Sequence, residues 1–254
     1  MNGELMKNLN VPALISMLLV MTAGCRSPLD LTSTWAGSPM SIDGSSSDWT
    51  ALTTVETPSL SLGARNDGEN LYLCLSTTDP DLQMQILFAG FTVWFPSTHE
   101  GARPFGLQFP LRQDRPVRIE DRDQFEAMFL AFEPRMSSLL ILEGSERQQF
   151  PVLQTPGIKV RIGLANGLLT YELKVPLISS PAIPYAAVPG TDRTVSVSFE
   201  TSAPDRDQLQ TGSTRPGRSG RRGPGGGPTS SIGGPDTPQP LRLKATIHLG
   251  QPNP

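Results

Sequence analysis

Residues 62–80 constrain the fold of this chain more than any other stretch. Their middle, residues 66–70, reads NDGEN, residue types that tolerate a positive φ or hydrogen-bond their own backbone. Short connections between antiparallel strands need such residues. After this turn, Leu71, Leu73 and Leu75 alternate with residues of mixed character, which is the period of a strand with one aliphatic face. The stretch therefore predicts a β-hairpin near the middle of a sheet.

A short helix is predicted directly after the hairpin. Asp79 is a residue type that caps helices, and Pro80 suits the first helical position. Leu82 and Ile86 follow at helical spacing, and Gly90 ends the segment. We expect one or two helical turns here.

Further alternating or apolar runs predict the other strands, at residues 91–95, 105–109, 139–142, 157–164, 168–177, 194–200 and 241–249. The first run is apolar on both faces, which predicts a central strand that is covered on both sides and pairs with the second run. Asn166 and Gly167 are a strong two-residue hairpin signal. Periodicity leaves residues 125–133 open between strand and helix.

These runs predict an all-β fold, an antiparallel β-sandwich with a short helix, in one domain spanning residues 40–250. Residues 41–44 are expected to form its entry strand, and Trp49 is expected to pack on the core. The charged segment 113–124 predicts an exposed loop.

A long loop is expected before the last strand. Residues 203–240 are rich in Gly, Pro, Ser and Arg and cannot bury enough apolar surface to offset the entropy lost on ordering. They therefore predict a disordered insertion, whose closure costs little more than that of a shorter loop. An RGG-like RNA contact is the alternative for its arginines; a solvated insertion is the better interpretation, and we expect no nucleic-acid partner.

The N-terminal segment has the pattern of a secretion signal. Lys7 precedes a mostly apolar run, residues 11–23, that is too short for a stable membrane-spanning helix and ends in small residues. Its Ala-Gly-Cys ending resembles the lipobox of bacterial lipoproteins, although Thr22 stands where Leu is usual. We expect residues 1–24 to be the signal peptide, Cys25 to carry the lipid, and residues 25–39 to form a tether. An ordinary secretion signal that contains a cysteine is the alternative.

This interpretation places the protein outside the cytoplasm, attached to a membrane through its N-terminal lipid. Arg26 after the cysteine favours the outer membrane, facing the periplasm, under the usual sorting rule of a diderm host. With Cys25 lipidated, Cys74 has no partner, so the fold must be stable without an intramolecular disulfide. The net charge of −3 predicts neither attraction to nucleic acid nor repulsion from it.

A succession of short motifs resembles the family 9 carbohydrate-binding modules and the related DOMON-type sandwiches. The matching residues are Ile42-Asp43-Gly44 with Trp49, Asn66-Asp67, Asn70-Leu71-Tyr72, Thr78-Asp79, Gly90 with Val93-Trp94-Phe95, and Tyr171-Glu172-Leu173 with Val175-Pro176-Leu177. The match covers most of residues 40–200 and the closing strand. The resemblance implies a β-sandwich whose members bind sugars or, in the DOMON branch, haem or sugars.

Most matched positions are expected to be structural, at turns and strand ends: Asp43, Gly44, Tyr72, Glu172 and Pro176. The paired aromatic residues that hold a sugar in carbohydrate-binding members are not assigned by any motif here. Trp94 is the best candidate for ligand binding, with core packing as the competing role.

Cofactor and catalytic signals are sparse. Haem needs an axial His or Met, and the chain has only His99 and His248 as histidines, so we expect no cofactor. The acidic pairs 79/81 and 121/123 are expected to cap or to face solvent rather than to bind Ca²⁺. No hydrolase, metalloprotease or nucleotide-binding motif occurs. A hydrolase with two distant carboxylates stays open, but we expect no enzyme and no metal site.

The sequence thus predicts a lipid-anchored, exported, non-catalytic binding module with carbohydrate as its expected ligand. The alternative is a structural or assembly lipoprotein of the cell envelope that docks a protein partner through a sheet face or an edge strand.

Overall fold

A computed structural model describes residues 27–56, 59–96, 103–112, 122–132, 136–202 and 239–252. The strands are β1 Leu29–Thr32, β2 Thr34–Trp35, β3 Thr53–Val55, β4 Leu60–Asn66, β5 Asn70–Thr77, β6 Phe91–Phe95, β7 Phe105–Gln108, β8 Ser138–Glu143, β9 Glu146–Pro151, β10 Lys159–Ala165, β11 Leu168–Pro176, β12 Thr194–Thr201 and β13 Arg242–His248. The helices are α1 Pro80–Met84, which continues as the π-helical turn Gln85–Ala89, then α2 Arg122–Phe132 and the 3₁₀ turn Val152–Gln154.

The strands form two sheets. The seven-stranded sheet has the order β1-β13-β12-β6-β7-β8-β9, and the six-stranded sheet has the order β10-β11-β5-β4-β2, with β3 also paired to β4. All neighbours are antiparallel except β1 with β13 and β2 with β4. The all-β sandwich that the sequence predicts is confirmed.

The predicted hairpin is present as β4 and β5. β5 lies between β11 and β4, and Leu71, Leu73 and Leu75 are buried in the core between the sheets. Asn166 and Gly167 both have positive φ, 53° and 74°, and join β10 to β11 as predicted. Local turn chemistry therefore places the central strands of the six-stranded sheet.

The predicted short helix is also present. The side chain of Asp79 accepts hydrogen bonds from the backbone N–H groups of Asp81 and Leu82, at 2.9 and 3.2 Å. This is the capping role that was expected in place of Ca²⁺ binding. Gly90 ends the π-helical turn with a φ of +85°, which favours glycine.

The open choice for residues 125–133 resolves as helix α2. Phe125 and Phe129 stand one turn apart and are both buried in the main core, and the ring of Phe132 lies 5.5 Å from that of Phe88. An aromatic stripe at helical spacing explains this outcome better than a strand does.

Three sequence expectations are wrong in detail. β1 and β2 lie within the expected tether of residues 25–39, because Leu31 packs in the core and β1 pairs with the distant β13. Residues 41–44 form no entry strand, and residues 43 and 44 form a bend. Residues 122–124, expected in a loop, begin α2. Strand β9 had no recognised signal.

Two further expectations lie outside the described residues. One covers the signal peptide and Cys25, within residues 1–26; the other covers most of the disordered insertion, residues 203–238. In the described ranges, no helix is long and apolar enough to cross a membrane.

Candidate functional site: the sheet face around Trp94

The outer face of the six-stranded sheet is covered by the chain itself. The segment 36–52 crosses it, and Trp49 packs there with Tyr72 and Cys74 in a second buried cluster. Met40, Ile42 and Leu52 from the same segment contact this cluster. Trp49 is 7% exposed, so its expected packing role is confirmed.

Glu172 holds the covering segment in place. Its carboxylate accepts hydrogen bonds from the backbone N–H groups of Asp43 and Gly44, at 2.8 and 2.6 Å, and from Nε1 of Trp49, at 2.7 Å. Burial raises the pKa of the Glu172 carboxyl, although the three donated hydrogen bonds oppose that shift. Glu172 lies in the middle of β11 rather than at a strand end, so that detail of the sequence analysis was wrong.

Close backbone contact leaves no space under this segment. A Cβ placed on Gly44 would stand 2.7 Å from the backbone nitrogen of Gly163 in β10, and Gly44 has a φ of +84°. Both features restrict the position to glycine. Five residues of the family resemblance meet here in a structural cluster, namely Asp43, Gly44, Trp49, Tyr72 and Glu172.

The outer face of the seven-stranded sheet carries the other tryptophan–glutamate pair. Two rows of outward side chains cross its strands and define what we call the Trp94 face. The first row is Lys244, Ser198, Trp94, Gly106, Leu142 and Arg147, and the second is Arg242, Glu200, Thr92, Gln108, Leu140 and Gln149.

The position of the Trp94 indole is set by its neighbours. Gly106 is its cross-strand partner, and a Cβ on Gly106 would stand only 2.6 Å from two atoms of the indole ring. Nε1 of Trp94 donates a hydrogen bond to Oε2 of Glu200 at 3.2 Å. The ring therefore lies against a glycine floor and is tethered by a carboxylate, while the side chain remains only half-buried.

Two clefts adjoin this indole and share Trp94 and Glu200. The smaller, of about 300 Å³, is completed by Phe95, Pro96, Pro104 and Ser198. The second, of about 320 Å³, is completed by Thr92, Gln108, Arg112, Leu142, Arg147, Thr201 and Ser202. An aromatic face flanked by hydroxyl, amide, carboxylate and guanidinium groups matches a ligand that has both apolar C–H faces and hydroxyl groups.

A third tryptophan lines a cleft elsewhere. Trp35 borders a cleft of about 500 Å³ with Ser33, Thr34, Gly250, Gln251 and Pro252, and its ring contacts the position of Gly68. Among the polar groups there, the Ser33 hydroxyl donates to Asn66 Oδ1 and is thereby engaged in joining the chain ends. None of the described residues that line this cleft carries a charged side chain.

Other candidate groups are not assembled into a site. His248 is exposed, with Nε2 3.7 Å from Oδ1 of Asp30, and His99 lies outside the described residues. Within the described ranges, no group of three or more metal-ligating side chains occurs. Cys74 is a buried free thiol, and burial, followed by the charges of Glu172 and Asp48, raises its pKa.

The sequence analysis named Trp94 but missed the groups around it. Glu200 and Ser198 were available from the alternation of β12, because Val197 and Phe199 point inward. Gly106 and Arg147 gave no such signal, since their relation to Trp94 depends on strand register across β7, β8 and β9.

Comparisons with known proteins give a distant likeness in structure. No protein-family model matches the chain, and no curated protein is significantly similar to it. A family 9 carbohydrate-binding module from Caldicellulosiruptor kristjanssonii, solved in complex with glucose, is similar in structure. It is 13% identical, with a TM-score of 0.34, and the match covers 70% of this chain and 80% of that one. A likeness at this level establishes neither family nor ligand.

Proposed function

We propose that this protein is a non-catalytic carbohydrate-binding module and that the Trp94 face is its binding surface. The observation that carries the proposal is the Trp94 indole, held by Gly106 and Glu200 on a polar sheet face, with a cleft on each side. Stacking on the ring would cover the C–H face of a sugar. The neighbouring side chains would then bond its hydroxyl groups.

The composition of the face favours a sugar over a protein partner. Its two rows hold Trp94 as the aromatic side chain and only Leu140 and Leu142 as aliphatic ones. Protein-docking surfaces concentrate apolar and aromatic residues at their centre, whereas this face is mostly polar. Docking of an envelope protein stays the alternative function.

Export and lipid anchoring are part of the proposal and rest on the sequence around Cys25. Since β1 begins at Leu29, the lipidated cysteine would be joined to the sandwich by a link of at most about 14 Å. Such a short link would hold the domain against the membrane surface. A Cys25→Ser variant should appear in the soluble fraction of the host, and persistent membrane retention would count against lipidation.

The binding proposal is tested with a tryptophan pair. We expect affinity electrophoresis against cell-wall and plant polysaccharides to show retardation of the wild-type domain. Trp94→Ala should abolish it, while Trp35→Ala, the matched loss of an indole outside the face, should preserve it. Circular dichroism of both variants controls for folding. Absence of retardation by every polysaccharide would overturn the proposal, and loss only in Trp35→Ala would relocate the site.

A further inference from the structure

The Trp94 face has a charge that its proposed function does not require. Arg112 and Arg147 line the larger cleft, and Arg242 and Lys244 neighbour Glu200 and Ser198 in register on β13. All four cationic side chains are exposed. Against them, Glu200 is the one carboxylate among the described residues of the two rows and the two clefts, and it accepts the hydrogen bond of Trp94. The face is therefore cationic in a chain whose net charge is −3.

Three of these cations, Arg147, Arg242 and Lys244, form no ion pair with a carboxylate in the part of the chain that the structure describes. Among the residues that the structure describes, the ion pairs are Arg103 with Glu143 and His248 with Asp30, neither of which involves Arg147, Arg242 or Lys244. Glu143 and Glu146 pair with each other one position from the outward pair Leu142 and Arg147, so strand alternation places them on the opposite face of the sheet. Among the described residues, Arg147, Arg242 and Lys244 therefore give the Trp94 face a positive potential that Glu200 offsets only in part.

We infer that the ligand of this face is an anionic glycan whose sugars carry carboxylates, such as a polyuronate. This inference rests on the proposed function and adds the substrate class. The guanidinium of Arg147 presents paired donors that match a carboxylate, and the ammonium of Lys244 supplies a second cationic contact.

The geometry also indicates the direction in which the glycan would lie on the sheet. Lys244 and Arg147 stand at the two ends of a row that crosses six neighbouring strands. With about 4.8 Å between neighbouring strands, their backbone positions are about 24 Å apart. Trp94 lies between them, and its two clefts open on either side. The repeat of a pyranose chain is close to the strand spacing. A glycan laid across the strands therefore places one sugar on Trp94 and acidic groups near the cations at both ends.

The test uses oligogalacturonate and its fully methyl-esterified form, which share a backbone and differ in charge. Isothermal titration calorimetry of the intact exported chain should show roughly tenfold tighter binding of the acid, and this preference should shrink as NaCl rises from about 0.05 to about 0.5 M. Arg147→Gln and Lys244→Gln should each lower affinity for the acid about fivefold and affinity for the ester by a much smaller factor, and an equal loss for both ligands would overturn the assignment of charge recognition. Lys159→Gln, on the opposite sheet, is the matched control and should change neither.

The outcomes separate this inference from the proposed function. Equal binding of acid and ester, lost in Trp94→Ala, would overturn the anionic class and keep the carbohydrate function. Absence of binding to both, and to neutral polysaccharides, would overturn both proposals. Equally tight binding of dextran sulfate, or acid binding that survives Trp94→Ala, would overturn the assignment of a carboxylated glycan stacked on Trp94.

Discussion

The two outer faces of the sandwich each carry a tryptophan that donates its indole N–H to a glutamate, and the pairs serve different ends. Trp49 and Glu172 are 2.7 Å apart and buried under the segment 36–52. Trp94 and Glu200 are 3.2 Å apart and half-buried beside two clefts. The same interaction thus fastens a covering segment on one face and orients an accessible ring on the other. The two roles differ because the segment 36–52 covers Trp49, whereas solvent reaches the Trp94 ring and leaves it available to a ligand.

Removal of each indole should give the largest difference in stability between the two faces. Trp49→Ala should lower the free energy of unfolding by about 4 kcal/mol, because it leaves a cavity and takes a donor from Glu172. Trp94→Ala should lower it by about 1 kcal/mol or less, since the ring is only half-buried. Urea unfolding followed by fluorescence or circular dichroism measures both. Similar losses in the two variants would show that Trp94 is a core residue after all.

Truncating the two glutamates gives a smaller contrast. Glu172→Ala leaves the N–H groups of Asp43, Gly44 and Trp49 without their acceptor, which should cost about 3 kcal/mol in unfolding free energy. Glu200→Ala should cost about 0.5 kcal/mol and should act instead on ligand affinity. A stability loss at Glu200 as large as that at Glu172 would contradict the division of roles.

The contribution of the buried Glu172 carboxyl to stability should depend on pH. The pKa of Glu172 is raised from 4.5 by burial, so the folded state binds this proton more tightly than the unfolded state. The contribution of Glu172 to stability is therefore complete below pH 4.5 and declines as pH rises through the raised pKa. The stability difference between wild type and Glu172→Ala, measured by urea unfolding across this range, should shrink as pH increases. A difference that grows with pH would mean that the three donated hydrogen bonds outweigh burial.

Local patterns explain how much of the fold was predictable. The turn at residues 66–70, the Asp79 cap and the Asn166-Gly167 hairpin each depend on neighbours in sequence, and each is confirmed. β1 and β2 are short, and they pair in parallel with β13 and β4. Nothing near them in the sequence shows those partners, so they were taken for a tether.

The candidate site was predictable only in its central residue. Trp94 was named as the best remaining aromatic candidate, while its strand was expected to be covered on both sides. That expected cover is wrong, because the side chain is half-buried beside two clefts. The cluster around Glu172 joins segments about 130 residues apart, so a motif resemblance could name its members but not show that they converge. The positions of Arg147 and Lys244 on the Trp94 face depend on strand order. The two residues lie in one row only because the strands from β13 to β9 pair in this order.

The addition of one methyl group under the Trp94 indole tests whether the position of the ring matters for binding. Gly106→Ala places a Cβ about 2.6 Å from the Trp94 ring, so the ring must move away from its floor. Since alanine also fits a strand better than glycine, we expect the unfolding free energy to change by less than about 1 kcal/mol. Glycan affinity should nevertheless fall several-fold, because the ring loses the orientation that Glu200 and the glycine floor define. Gly37→Ala, at a position with open space around it and no positive φ, supplies a matched control for glycine replacement. Titration calorimetry with the tightest-binding oligosaccharide measures this change in affinity. Unchanged affinity in Gly106→Ala would mean that ligand binding does not depend on the position of the Trp94 ring.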